Sequence, residues 1–266
     1  MVIKKTFKWT GIGFLSLLII AALFLWAIGP DLRALVLNPP KDTNVLFWSQ
    51  SQRDAGFKVL DRVFPLVNTR SIKPGPSIRK LPIGTPLKLT DDMDAFFEEQ
   101  RLSGALILHK GKIRYERYGI GHSPEKRWTS FSVAKSFTST LVGIALKDGD
   151  ISSLDDSVSS YIVGLKGSVY DDVTVEQLLT MTSGVAWNES YTDPSSDVSK
   201  FNFHNSEEGL PTIVSYMRTL SRAHPAGQKW HYSTGETNLI GILVEQATGR
   251  NLSQYLTEKI WQPFGM

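Results

Sequence analysis

The sequence predicts an α/β chain that combines antiparallel strands with amphipathic helices, and two observations support this class. Residues 103–109 and 112–118 are β-prone runs joined by Lys110-Gly111, which is typical of a β-hairpin. From residue 132 onward, apolar side chains recur at three- and four-residue steps, which predicts helices. The predicted helical segments are residues 132–149, 173–181, 207–220, 235–248 and 252–260.

Residues 1–30 have the composition of a membrane anchor. Three lysines precede an apolar, essentially uncharged run over residues 9–29, and about 20 apolar residues are needed to cross a bilayer as a helix. We therefore expect an uncleaved single-pass transmembrane helix in the inner (cytoplasmic) membrane, with the body on the extracytoplasmic side. A cleavable signal peptide is the alternative, because Ala27-Ile28-Gly29 has small residues at suitable spacing, although Pro30 disfavours a cut there.

The region between the anchor and the main domain is divided by turns. Residues 31–88 contain several proline- and glycine-rich stretches and one predicted helix, over residues 49–64. Thr90-Asp91-Asp92 is a helix-start signal that precedes apolar residues at helical spacing. The predicted regions are an anchor (1–30), a linker and N-terminal extension (31–88) and a main domain (89–266).

Composition excludes several classes of function. The net charge of +3 comes from the three lysines of the first 30 residues, which leaves 26 basic and 26 acidic side chains in the remainder. A body without net charge or a basic run is not typical of a nucleic-acid-binding protein. The chain has no cysteine, and its five histidines lack metal-ligand spacing, so we expect no metal site. No motif calls for a cofactor.

The pattern Ser-x-x-Lys occurs three times, and its context distinguishes one copy. The copies at Ser77 and Ser123 lie in proline-rich, loop-like surroundings. The copy at Ser132 begins a helical pattern that ends at Gly149 and places Lys135 on the same helix face.

That arrangement suits nucleophilic catalysis. A serine hydroxyl becomes a strong nucleophile when a neighbouring base takes its proton, and a lysine in its neutral form is such a base. Unpaired N–H groups at a helix N-terminus would stabilise the negative charge of a tetrahedral intermediate. The alternative is that Ser132 only caps the helix while Lys135 is a solvated charge.

The order of motifs after the hairpin resembles the serine β-lactamase and penicillin-binding-protein superfamily, in its class C and esterase-like branch. The chain further resembles the 6-aminohexanoate-dimer hydrolase group through residues 48–64 and 191–194. The motifs that carry the resemblance are Phe131-Ser132-Val133-Ala134-Lys135-Ser136, Leu178-Leu179-Thr180-Met181-Thr182-Ser183-Gly184, Pro225-Ala226-Gly227, Tyr232-Ser233-Thr234-Gly235 and Trp261-Gln262-Pro263-Phe264-Gly265-Met266. The resemblance implies a β-lactamase/transpeptidase-like fold, an antiparallel sheet with helices on both sides, and an acyl-enzyme mechanism on small amides or esters.

The resemblance also implies roles for individual residues. Ser132 would be acylated, Lys135 would accept its proton, and Tyr232 would pass a proton to the leaving group. Tyr191 would contact the substrate amide, and Asp193 is a candidate for orienting a substrate amine. The alternatives are a packing role for Tyr232 and a turn role for Asp193, which precedes a proline.

Two departures from the family pattern affect these expectations. Thr234 stands where the tyrosine motif has asparagine, which favours an ester or amide hydrolase over a β-lactamase. The Lys/His-Ser/Thr-Gly motif is absent, and motif 263–266 normally falls near the middle of such proteins, so we expect a truncated chain with an incomplete sheet and marginal stability. A D-Ala carboxypeptidase of the penicillin-binding kind and a catalytically silent binding remnant are the alternative functions.

Overall fold

The chain folds into two compact units, each built from two segments of the sequence. The computed structural model describes residues 2–63, 69–89 and 92–266, and it describes side chains from residue 14 onward except that of residue 63. One unit comprises residues 1–69 and 80–129, and the other comprises residues 70–79 and 130–266. These units do not coincide with the regions predicted along the sequence, whose boundaries lie at residues 30 and 88. Those boundaries stay a prediction.

The first unit contains five helices and a hairpin in its described part. The helices are α1 (Val2–Ala27), α2 (Gly29–Leu37), α3 (Gln50–Gly56), α4 (Leu60–Val63) and α5 (Met93–Glu99), and a 3-10 turn covers Val45–Phe47. Its small core is formed by Leu35, Trp48, Ala55 and Val59. Next to this core, the buried ammonium of Lys58 lies 2.8 Å from a carboxylate oxygen of Asp31 and donates to the Ile120 carbonyl.

The predicted transmembrane helix lacks support in the structure. Residues 2–27 are helical as α1, which agrees with the helical part of the prediction. Among the described residues, however, no helix has both the length and the apolarity that a membrane crossing requires. The side chains of residues 9–13, the first part of the predicted span, lie outside the description.

The predicted helix over residues 49–64 is wrong as a single element. A capping box between Ser49 and Gln52 begins α3, which ends at Gly56. Gly56 packs directly on the Trp48 ring, because a Cβ at this position would lie 2.5 Å from a ring carbon. The chain turns after Gly56 and resumes as α4; residue 64 lies outside the described residues.

The predicted β-hairpin is confirmed. Strand β1 (Gly104–His109) pairs antiparallel with β2 (Lys112–Tyr118), with a bulge between Ile107 and Leu108. The loop residues Lys110 and Gly111 both have positive φ (53° and 72°), which is the geometry of a type I′ turn. These two strands form the whole sheet within the described residues.

The second unit is helical and contains the larger core. Its helices are α6 (Ala134–Asp148), α7 (Val158–Tyr161), α8 (Val175–Leu179), α9 (Asp197–Lys200), α10 (Thr212–Met217), α11 (Thr234–Thr248) and α12 (Leu252–Leu256). Single 3-10 turns cover Phe131–Val133, Val163–Leu165 and Phe201–Phe203, and a π-turn covers Thr257–Trp261. The predicted helix over residues 207–220 is shorter than expected, because α10 begins only after Pro211.

Helix α6 lies against α11 and forms the centre of this unit. Leu141, Val142 and Ala145 are buried on one face of α6, in the same core as Leu239 and Leu243 of α11. Burying an aliphatic side chain of this size contributes about 1.5–3 kcal/mol. Helix α6 ends at Gly149, whose left-handed φ of 86° closes the last turn.

Candidate active site

The structure brings the predicted nucleophile and base together at the start of α6. Ser132 lies in the 3-10 turn Phe131–Val133, and Lys135 lies in the first turn of α6. Lys135 Nζ is 3.1 Å from Ser132 Oγ, which is within the range for direct proton transfer. The turn itself is strained, because Phe131 has a φ of 42°, a value that non-glycine residues seldom adopt.

Tyr232 approaches the same oxygen from a distant part of the chain. Its hydroxyl donates to Ser132 Oγ at 2.8 Å, across 100 residues of sequence. Lys135 Nζ lies 5.2 Å from the centre of the Tyr232 ring, so the ammonium form of the lysine also interacts with the ring. The three predicted catalytic side chains therefore converge on one atom, Ser132 Oγ.

Thr234 connects the lysine to a second group of polar side chains. Lys135 Nζ donates to Thr234 Oγ1 at 3.3 Å, and the Tyr191 hydroxyl lies 3.3 Å from the same oxygen. Tyr191, predicted as a substrate contact, is thus part of this cluster and is about half exposed. The threonine occupies the position that the family pattern gives to asparagine, and here its hydroxyl accepts from the lysine.

Glu189 lies at the centre of this second group and was missed by the sequence analysis. One carboxylate oxygen accepts from Thr234 Oγ1 and from the Tyr191 hydroxyl, the latter at 2.5 Å. The other oxygen accepts from the Thr234 amide at 3.0 Å and from Trp187 Nε1. No local sequence pattern marks Glu189, because its partner Thr234 lies 45 residues further along the chain.

The four hydrogen bonds determine the charge state of Glu189. Burial alone would raise the pKa of this half-buried carboxyl, but the backbone and side-chain bonds from Thr234, together with Tyr191 and Trp187, hold it below its usual value. Burial and the bond to Glu189 raise the pKa of Tyr191 to about 12. At neutral pH the site therefore contains a carboxylate and a neutral phenol beside Thr234.

The segment that carries Tyr232 is fixed by the turn after α8. His231 donates its amide to the Met181 carbonyl at 2.9 Å, and its ring lies 2.7 Å from the Trp187 carbonyl. Gly184 lies in close contact with the same segment, because a Cβ there would be 1.9 Å from the His224 carbonyl oxygen. Its φ of 74° also requires glycine.

Asp193 has a local role in the structure. Its Oδ1 accepts from the amide and the hydroxyl of Ser195, at 2.8 and 2.7 Å. These bonds, the hydroxyl first, hold the pKa of Asp193 below its usual value. In the described part of the chain, no hydrogen bond of Asp193 reaches Ser132, Lys135 or Tyr232, and its role in orienting a substrate amine stays a prediction.

A cleft next to Lys135 offers space for a small ligand. Its volume is about 280 Å³, and it lies between α6 and α11. Its apolar lining includes Phe131, Ile213 and Ile242, and its polar lining includes Thr237 and Asn238. A space of this size accommodates a small molecule.

Comparisons with known proteins identify the family of the chain. A family model described as "Beta-lactamase" matches residues 89–266. A 6-aminohexanoate-dimer hydrolase from Paenarthrobacter ureafaciens is 29% identical over 174 residues, which cover 64% of this chain and 44% of that protein. A β-lactamase from Pseudomonas fluorescens is 24% identical over 183 residues, which cover 65% of this chain and 47% of that protein. The chain thus spans about half the length of these curated relatives.

A solved structure supports the fold. A candidate 6-aminohexanoate-dimer hydrolase from Bacillus anthracis superposes with a TM-score of 0.70 at 20% identity. The match covers 86% of this chain and 64% of that one. At this identity the likeness concerns the fold, and it confirms the expected β-lactamase/transpeptidase-like architecture.

Proposed function

Since this chain belongs to the beta-lactamase family, we propose that it is a serine hydrolase that forms an acyl-enzyme on small amides or esters. The observation that carries the proposal is the convergence on Ser132 Oγ, with Lys135 Nζ at 3.1 Å and the Tyr232 hydroxyl at 2.8 Å. An activated nucleophile needs a base within hydrogen-bond reach, and here it has one, with a second proton carrier beside it.

In the acylation step, neutral Lys135 takes the proton from Ser132 Oγ as that oxygen attacks the substrate carbonyl carbon. The carbonyl oxygen becomes an oxyanion close to the N-terminus of α6, where backbone N–H groups stabilise negative charge. When the carbon–nitrogen or carbon–oxygen bond breaks, Tyr232 gives its proton to the leaving group and regains one from Lys135. Water then attacks the acyl-enzyme, and its proton follows the same route in reverse to restore Ser132.

Glu189 and Thr234 support this cycle through Lys135. The lysine becomes an ammonium when it accepts the serine proton, and Thr234 Oγ1 then accepts one of its N–H groups at 3.3 Å. The Glu189 carboxylate accepts a hydrogen bond from the Thr234 hydroxyl. Only one oxygen, Thr234 Oγ1, therefore lies between its negative charge and the ammonium. We infer that Thr234 and Glu189 orient the lysine and stabilise its charged form.

The proposed substrates are small amides and esters. A hydrolase named for the 6-aminohexanoate dimer and a lovastatin esterase from Penicillium rubens are both among the relatives. The cleft of about 280 Å³ is lined by Lys135 but not by Ser132 or Tyr232, so the proposed substrate class rests on the relatives and not on this cleft. Tyr191 is proposed to contact the substrate, because it is about half exposed beside Thr234.

The experiment compares the three Ser-x-x-Lys serines. The full chain is incubated with a fluorescent fluorophosphonate and with a chromogenic short-chain ester. We expect Ser132→Ala to abolish both labelling and turnover, while Ser77→Ala and Ser123→Ala keep them. Labelling that persists in Ser132→Ala would remove Ser132 from the role of nucleophile.

A fluorescent penicillin separates the alternative functions. Stable labelling of Ser132 by penicillin without ester turnover would favour a D-Ala carboxypeptidase of the penicillin-binding kind. Absence of reaction with both probes in a folded protein would favour a catalytically silent chain. We expect ester turnover with little stable penicillin adduct.

Localisation in the inner membrane, with the body on the extracytoplasmic side, stays a prediction based on the composition of residues 1–30. Retention in the membrane fraction after a carbonate wash would support it. Release of the full chain by the wash, or digestion of the body only after the cytoplasm is opened, would contradict it.

A further inference from the structure

A buried polar cluster lies behind the catalytic residues and plays no part in the chemistry proposed above. Its members are Glu236 in the first turn of α11, Ser183 in the turn after α8, and Tyr170 in the loop before α8. Glu236 is 3% exposed, Ser183 is 2% exposed and Tyr170 is fully buried. Buried carboxyl groups are rare unless they are paired, so this cluster requires an explanation.

The carboxyl group of Glu236 is only half satisfied. Its Oε1 accepts a hydrogen bond from Ser183 Oγ. Its Oε2 and the Tyr170 hydroxyl have no hydrogen-bond partner among the residues that the structure describes. An ionised carboxylate would need more donors than this environment offers, whereas a neutral carboxylic acid needs fewer.

Glu236 is attached to the catalytic segment through its backbone as well. Its amide donates to Ser233 Oγ at 3.2 Å, which caps the N-terminus of α11. Ser233 lies between Tyr232 and Thr234, the residues that contact Ser132 and Lys135. The side chain of Glu236 therefore links the turn at Ser183 to the residues that hold the catalytic tyrosine.

The turn at Ser183 holds the other end of the same segment. Its neighbours Thr182 and Met181 accept backbone hydrogen bonds from Gly227 at 2.7 Å and from His231 at 2.9 Å. A displacement of Glu236 relative to Ser183 would thus move Tyr232 through two connections. One is Ser233 at the start of α11, and the other is the hydrogen bond between His231 and Met181.

We propose that Glu236 is a positioning residue that holds the turn of Tyr232 and Thr234 in place as a neutral carboxylic acid, and that its ionisation loosens this turn. The inference rests on the proposed hydrolase function for its catalytic consequence. The rate of Ser132 acylation would then depend on the protonation of Glu236, although Glu236 does not transfer this proton to the substrate.

Among the residues that the structure describes, no cation forms an ion pair with Glu236. Arg222 acts electrostatically on Tyr170, but its guanidinium donates to the Ser183 and Val169 carbonyls and to the Asp172 carboxylate. Tyr170 is buried and neutral; burial first, then the charge of Glu236, raises its pKa well above the usual value, with Asp197 a further negative charge near it. Burial raises the pKa of Glu236 from 4.5 to about 7, and the Ser183 bond only partly opposes this shift.

The direction of the pH effect follows from this pKa. Below about pH 4.5 the group is protonated in both the folded and the unfolded chain, so it adds no pH dependence. Between about pH 4.5 and 7 the folded chain keeps the proton that the unfolded chain releases, so stability falls as pH rises. Above pH 7 the full penalty is present, a loss of two to three powers of ten in the folding equilibrium constant.

The experiment uses the full chain and the variants Glu236→Gln and Glu176→Gln. Glutamine keeps the shape of the neutral acid but cannot ionise, while Glu176 is an exposed acid on α8 and serves as the matched control. Thermal unfolding and the rate of fluorophosphonate labelling are measured from pH 4.5 to 8.5. We expect Glu236→Gln to remove the fall in stability between pH 5 and 7 and to extend rapid labelling to higher pH, whereas Glu176→Gln retains the wild-type profiles.

Each arm has an outcome that overturns the inference. A Glu236→Gln variant that retains the wild-type pH profiles of stability and labelling would contradict it. The unfolding arm needs no turnover, so absence of labelling together with the expected stability profile would count against the hydrolase proposal and leave the ionisation of Glu236 supported.

A third measurement covers failure of the variant to fold. Infrared difference spectra of the wild-type chain would show loss of a protonated carboxyl band between pH 6 and 8. A spectrum without that band at pH 6 would overturn the inference.

Discussion

Glu189→Gln is the substitution that most sharply tests the polar network around Lys135. The change keeps the size of the side chain and removes only its charge. The oxygen that faces Trp187 Nε1 and the Thr234 amide must remain an oxygen, because both partners are obligatory donors. The new amide nitrogen therefore faces Thr234 Oγ1 and Tyr191, whose hydroxyls can rotate to accept from it.

The expected magnitude follows from the distance between charges. The carboxylate and the Lys135 ammonium are separated by two hydrogen bonds through Thr234, about 5–6 Å, which gives about 3 kcal/mol at an effective dielectric constant of about 20. Because Glu189 is partly exposed, solvent screening reduces this to about 1.5–2.5 kcal/mol. We therefore expect acylation of Ser132 to slow by roughly 10- to 100-fold, since 1.4 kcal/mol corresponds to a factor of ten.

The assay is the second-order rate of fluorophosphonate labelling, followed by gel fluorescence at several probe concentrations. Tyr191→Phe is the matched control, because it removes one donor to Glu189 and leaves the carboxylate charge in place. We expect the control to slow labelling less than Glu189→Gln does. A Glu189→Gln variant that is folded and labels at the wild-type rate would refute the role given to this carboxylate.

Three further substitutions test the site and its support. Tyr232→Phe removes the hydroxyl that donates to Ser132 Oγ, so we expect ester turnover to fall by about 10²–10⁴-fold; a folded variant with normal turnover would contradict the proton route. Gly184→Ala places a Cβ against the His224 carbonyl at a φ of 74°, so we expect a severe loss of stability in thermal unfolding, and a wild-type melting temperature would show that the turn is less constrained than described. Leu141→Ala, in the core of the second unit, should cost about 2–5 kcal/mol in denaturant unfolding; a loss below about 1 kcal/mol would contradict its burial.

The elements that depend on local sequence could be predicted. The hairpin follows from two β-prone runs around Lys110-Gly111, and its turn has the positive φ values that such a loop requires. Helix α6 follows from apolar spacing and from Gly149, and the 3-10 turn that carries Ser132 directly precedes it. Ser132, Lys135 and Tyr232 were also predicted, because an ordered series of motifs fixes their relation across 100 residues.

The features that depend on tertiary contacts could not be predicted from the sequence. Glu189 acts through Thr234, which is 45 residues away, so no local pattern reveals the pair. The role of Asp193 in orienting a substrate amine stays a prediction, while its carboxylate accepts locally from the Ser195 amide. The predicted helix over residues 49–64 breaks after Gly56, and helical spacing alone does not reveal the contact of this glycine with the Trp48 ring.

Peptide mapping by mass spectrometry tests the central claim most directly. The full chain is labelled with a fluorophosphonate, digested, and searched for the adduct. The account predicts one modified residue, Ser132, and loss of that adduct when Lys135 is replaced by alanine. An adduct on another serine in the folded chain, or labelling of Ser132 at an unchanged rate in Lys135→Ala, would contradict it.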